Sequence, residues 1–167
     1  MKAKMFRALL PIAIVFTMVS CSSDQTEGTT ADRQVVTSYN YNDTELKLST
    51  LINNYRVSQG LEPLEIINHI SYKSEEHNVY MIDNNVVNHD YFQQRSNNLV
   101  QVLGAERVGE NIAYNYQTAE SALTAWLNSP GHKANIEGDY THMGVSVTVD
   151  EATGKKYYTN MFMKKRP

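Results

Sequence analysis

Between Val108 and Ile136 the chain gathers side chains that can do chemistry. Glu110 follows Gly109 in V-G-E-N-I-A, and His132 lies just inside S-P-G-H. A carboxylate and a neutral imidazole can ligate a divalent metal, exchange a proton, or satisfy one another as a buried hydrogen-bonded cluster. A further histidine, His89, stands upstream among aromatic residues in V-V-N-H-D-Y-F. No serine sits in a nucleophile-elbow context, and the single cysteine, Cys21, directly follows the apolar leader and reads as spent on an anchor, so covalent catalysis has no candidate.

These residues need elements to hold them. Gly109 lets the backbone approach closely in front of the glutamate, Asn111 can tie loops together through its amide, and Ile112-Ala113 reads as a short buried strand. Ala119, Ala122, Leu123, Trp126 and Leu127 then form one apolar helical face behind a Thr118 N-cap. Ser129 can cap a second, short helix with Pro130 at its first position, which fixes His132 in the first turn; Gly138 can end it.

Upstream, Asn42-Asp43-Thr44-Glu45 is a capping-box pattern, followed by Leu48, Leu51, Ile52 and Tyr55 at helical spacing. Gly60 stops that helix, and Leu61 and Leu64 should tuck inward from the connector. A second helix over 67–83 turns Ile70, Ser74, His77 and Met81 inward, with His77 read as a core or rim histidine. Asn84-Asn85 breaks it, 86–92 is irregular, and 95–103 is a third helix ending at Gly104. Beyond the central stretch the period becomes two: Met143, Val145, Val147 and Val149 alternate, a Gly-containing turn follows, and 157–163 pairs back as a hairpin. Helices first and strands last predict an α+β domain built in layers.

The chain opens on an address. Lys2, Lys4 and Arg7 precede an apolar run over 8–19, too short to span a membrane, so residues 1–20 read as a secretory signal. Met18-Val19-Ser20-Cys21 resembles a bacterial lipobox. Cys21 is therefore expected to carry acyl chains such as palmitate and to anchor the protein in a membrane. Losing the three basic residues takes the formal charge from −3 to −6, a poor balance for nucleic acid. Residues 22–41 are rich in Ser, Thr, Asp and Gln and read as a flexible tether, leaving 42–167 as one folded domain.

Four segments occur in an order that resembles the CAP superfamily, which includes cysteine-rich secretory, antigen 5 and pathogenesis-related proteins. They are G-E-N-I-A (109–113), W-L-N-S-P-G-H-K-A-N-I (126–136), M-G-V-S-V (143–147) and Y-Y-T-N-M-F (157–162). The opening helix, with N-N-Y-R-V-S-Q-G-L-E-P-L (53–64), is also similar to the disulfide-free bacterial branch. The resemblance implies a three-layer α-β-α sandwich with a central antiparallel sheet. It also implies a shallow cleft faced by two histidines and two glutamates. Carried over, His89 is the first histidine, Glu110 the glutamate of the G-E-N motif and His132 the second histidine. The second glutamate is absent after Trp126. Glu120 is misplaced for it, and Glu137 and His142 are the residues able to compensate.

Two imidazoles and a carboxylate are adequate zinc ligands, with His89 and His132 as the metal-binding pair and Glu110 as the candidate base. Their spread from position 89 to 132 lacks the i, i+4 spacing of a zincin helix, so a structural polar cluster stays open beside a metal site and an acid/base pair. Three functions follow. The first is a membrane-anchored extracytoplasmic binding protein, expected to be a binder rather than an enzyme, that takes a lipid, another small apolar ligand or a partner surface at the cleft. The family resemblance and an amphipathic lining from some of the 11 tyrosines favour this one. The second is a zinc-dependent hydrolase or peptidase, and the third a structural or host-interaction factor. Each places the chain in a bacterial envelope, at the outer membrane or cell surface. Oligomeric state is left open.

Overall fold

The computed structural model describes residues 34–166. The signal and Cys21 lie outside the described residues. Five helices and four strands follow in order: α1 (Asp43–Ser58), β1 (Glu65–Ile66), α2 (Asn68–Asp83), α3 (Phe92–Leu103), β2 (Ala105–Tyr114), α4 (Ala119–Asn128), α5 (Pro130–Ile136), β3 (His142–Val149) and β4 (Lys156–Lys165). The sheet order is β1-β3-β4-β2. Its three long strands are antiparallel, as expected, but β1 runs parallel to β3 through Glu65 and Ile66, so the sheet is mixed.

Strand alternation divides the core. Met161 and Met163 of β4 face α2 and α3, packing on Ile70 and Leu99. Tyr158 and Phe162 face the other way, against Leu48 and Ile52 of α1, Trp126 of α4 and Ile136 of α5. The two sides make the α-β-α sandwich. Trp126 is fully buried, and its indole N–H donates to the Ile112 carbonyl at 2.8 Å, so one side chain joins α4 to β2. On the opposite side α2 lies directly on β3 at Gly144, where a Cβ would meet the backbone of Ile70 and Ser71.

The local signals act as read in most places. Asn42 forms both halves of its capping box with Glu45, and Thr118 caps α4 through Ser121. Ser129 occupies the N-cap of α5 but makes no side-chain cap bond. Leu64 is buried while Leu61 stays half-exposed. The strand expected at 112–113 is ten residues long, because residues 107–111, three of them polar, also pair with β4, and a register shift at Glu106 carries the pairing on to Ala105. The third helix begins three residues early, at Phe92, after Tyr91 enters the left-handed region at φ 59°.

The tether also ends sooner than Tyr41. The Val36 N–H donates to His69 Nδ1 (3.0 Å), and the Thr37 carbonyl accepts from Asn68 (2.7 Å). The Tyr39 hydroxyl reaches Glu45 and Ser146, and that of Tyr41 reaches Asn68 and Ser71. Residues 36–41 therefore form a strap bonded to α1, α2 and β3.

Candidate functional site

Glu110 sits mid-way along β2 on the face covered by α2 and α3, and is 6 % exposed. A carboxylate this deep needs partners, since burying an unpaired charge costs several kcal/mol. Arg95, one turn into α3, supplies them: its Nε donates to Oε2 at 2.8 Å and its Nη2 to Oε1 at 2.9 Å, the planar fork that matches a carboxylate. The third arm of Arg95, Nη1, donates to the Asp90 carbonyl at 2.8 Å, which holds the loop before α3.

That loop carries His89. Its Nδ1 lies 2.8 Å from Glu110 Oε1. Because the carboxylate accepts, Nδ1 donates and Nε2 is left outside this bond; the side chain is half-exposed, 50 %. Asn88 and Tyr80 brace the loop by donating to the Asp90 carboxylate. His77 on α2 completes the cluster, 1 % exposed, with Nε2 donating to the Asn88 carbonyl at 2.8 Å and standing 3.9 Å from Glu110. Its Nδ1 is buried without a hydrogen-bond partner. Burial pushes the His77 pKa below the usual imidazole value, against the pull of Glu110 and with the help of Arg95.

The cleft in front of this cluster holds about 280 Å³ and is lined by His89, Phe92, Val108, Gly109, Glu110 and Asn135. It straddles β2. His89 and Phe92 form one wall and Asn135 of α5 the other, where its amide donates to the Glu110 carbonyl at 3.1 Å and to Asn111 Oδ1 at 2.9 Å. Gly109 leaves room between them: a Cβ there would lie 2.5 Å from the Tyr140 hydroxyl and 3.0 Å from Asn135 Oδ1, so Tyr140 would have to shift.

The structure thus brings His89 and Glu110 together and leaves the His132 ring outside the residues lining the cleft. Asn111 holds the His132 carbonyl at 2.9 Å. The ring is half-buried, and burial first, then the nearby His89, lowers its pKa. The compensating residues lie elsewhere. Glu137 accepts from Tyr55 at 2.6 Å, His142 pairs with Thr141 and Glu65, and Glu120 is exposed beside Lys47. Arg95 is the participant that sequence reading missed. It lies 15 residues before Glu110 on a separate helix, and no local motif links the two.

A zinc centre does not fit this donor set. Both Glu110 oxygens are taken by Arg95, His77 Nε2 is spent on a carbonyl, and His132 does not line the cleft. Among the described residues no group of three or more His, Cys, Asp or Glu is arranged to hold a metal ion. The site instead offers His89 Nε2, an apolar wall from Phe92 and Val108, and strand backbone.

Residues 50–162 match the profile of the CAP: Cysteine-rich secretory protein family. The chain belongs to this family. Two Bacillus subtilis (strain 168) proteins are similar to the CAP domain described above. One, named an uncharacterized membrane protein YlbC, is 36 % identical over 125 residues, covering 72 % of this chain and 34 % of its own length. The other, named an uncharacterized protein YkwD, is 33 % identical over 128 residues, covering 74 % and 48 %. The chain thus spans about a third to a half of these relatives. An extracellular SCP-domain protein from Bacillus anthracis str. Ames shares the fold at TM-score 0.64 and 27 % identity, covering 77 % of this chain and 45 % of that one. An outer surface protein from Borrelia burgdorferi superposes at TM-score 0.68 and 21 % identity, over 78 % of this chain and all of that one.

Proposed function

We propose that this CAP domain is a non-enzymatic binding module of the bacterial envelope that receives one group of a ligand or partner surface in the His89–Glu110 cleft. The observation that carries this reading is the Arg95 fork. It consumes the carboxylate that a metal or a general base would need, and so turns Glu110 into a support for His89. The cleft lies below the range of about 300–1,000 Å³ usual for pockets that enclose a drug-sized ligand. Its size suits a single side chain or ring better than a lipid chain. His89 Nε2 supplies one directional hydrogen bond and Phe92 with Val108 the apolar contact.

The envelope placement rests on the basic-apolar-cysteine leader, which supports a lipid anchor at Cys21. It rests also on similar proteins whose names place one in a membrane and another outside the cell. Native mass spectrometry of the full chain, extracted gently from its own membranes, tests the binding reading. Wild type should retain a non-covalent adduct that His89→Trp, which fills the cleft, has lost. Identical adducts in both proteins, or none in either, would remove the support for this site.

A further inference from the structure

The sheet has two edges, and they are finished differently. Beyond the short β1, the β3 edge is answered by side chains. The Val145 N–H donates to Ser71 (3.2 Å), the Val147 N–H to Glu45 (2.8 Å), and the Val147 carbonyl accepts from Asn42 (3.1 Å). On the β2 edge the outward residues are the even-numbered ones, because the Glu110 and Ile112 carbonyls point away from β4 to accept from Asn135 and Trp126. By the same alternation Val108 turns its N–H and carbonyl outward, and Glu110 its N–H; among the described hydrogen bonds these three groups have no acceptor or donor. They border the cleft, whose lining includes Val108 and Glu110.

We infer that the cleft takes an extended peptide segment of a partner protein, paired as an added antiparallel strand on Val108 of β2. This rests on the binding reading above and names its ligand class. A donor and an acceptor from one residue, side by side at strand spacing, are complementary to another extended backbone, whereas a lipid chain satisfies neither. The residue opposite Val108 projects to the face that Val108 occupies, beside His89 and Phe92, so an apolar side chain there fills the cleft. In that orientation the peptide runs on toward the Ala105 end. There Arg107, Lys164, Lys165 and Arg166 stand against Glu106 and Asp139, within a chain that is acidic overall. An acidic residue following the apolar one is favoured.

The test uses the full chain in detergent micelles and a fluorescein-labelled, end-capped peptide, Thr-Val-Thr-Phe-Asp-Thr, which sets the aspartate opposite Arg107, read by fluorescence polarisation. The phenylalanine is placed opposite Val108, whose N–H would donate to its carbonyl and whose carbonyl would accept its N–H. Val108→Pro deletes the first bond without touching the β4 ladder, and N-methylation of the peptide phenylalanine deletes the second. Each should weaken binding about tenfold. Hydrogen exchange over residues 105–114 should slow when the unmodified peptide is added. The methylated peptide keeps the proposal testable even if Val108→Pro fails to fold. Undiminished binding of the methylated peptide would overturn strand pairing. If His89→Trp still abolishes binding in that case, the cleft reading survives alone. No binding of the unmodified peptide up to about millimolar concentration, or self-association that Val108→Pro abolishes in its place, would also overturn the inference.

Discussion

At the residue scale, Arg95 and Glu110 form a buried pair whose members are costly to separate. Removing one partner of such a pair leaves an uncompensated charge and typically costs about 3–5 kcal/mol. Arg95→Met should therefore lower stability by that order, while Arg95→Met combined with Glu110→Gln should recover much of the loss. Urea denaturation of both variants checks this, and a double variant as unstable as the single one would show that the two side chains act independently. His77 makes a second claim at this scale. Its pKa is lowered in the folded state, chiefly by burial, so the folded protein holds the neutral ring and the unfolded chain takes up the proton first. The stability that this provides is full above the ordinary value of 6.5 and is lost as pH falls below it. His132 and His142, lowered mainly by burial as well, act in the same direction. The denaturation midpoint should fall between about pH 7.5 and 5.5, and less steeply in His77→Gln. Equal slopes would assign the pH dependence to other groups.

At the scale of elements, Trp126 links α4 to β2 by packing and by its bond to the Ile112 carbonyl. Trp126→Ala should cost about 3–5 kcal/mol. A denaturation midpoint left in place would contradict a core role. The helices could be read because their caps and apolar faces are local: the Asn42 box, Thr118, and the face ending at Trp126 each lie within one element. The final hairpin could be read because its strands alternate over a buried sheet. The extent of β2 could not. Glu106, Arg107, Glu110 and Asn111 are polar for reasons of site and edge, so the strand carrying the carboxylate lacks the period that would reveal it. Two-residue β1 is too short to leave a pattern, and Arg95 meets Glu110 only once α3 lies on β2. The three site residues were legible as types; the arginine that decides what Glu110 can do was not.

At the scale of the molecule, the strap bears on how an anchor at Cys21 would present the domain. Among the described residues no helix is long and apolar enough to cross a membrane. If Cys21 is the anchor, Cys21→Ser should move the protein to the soluble fraction after a high-salt wash. Retention in the membrane fraction would put the attachment elsewhere. With residues 36–41 bonded to the domain, the free tether would be shorter than composition suggested. What the cleft does depends on whether His89 and His132 hold a metal or Glu110 only supports His89. Calorimetric titration of zinc at about pH 7.5, where neutral imidazole predominates, decides between them, with wild type run beside the His89→Ala/His132→Ala double variant. We expect no stoichiometric heat in wild type and no difference between the two proteins. One zinc bound per chain in wild type and lost in the double variant would contradict the binding-module reading and restore the metal centre.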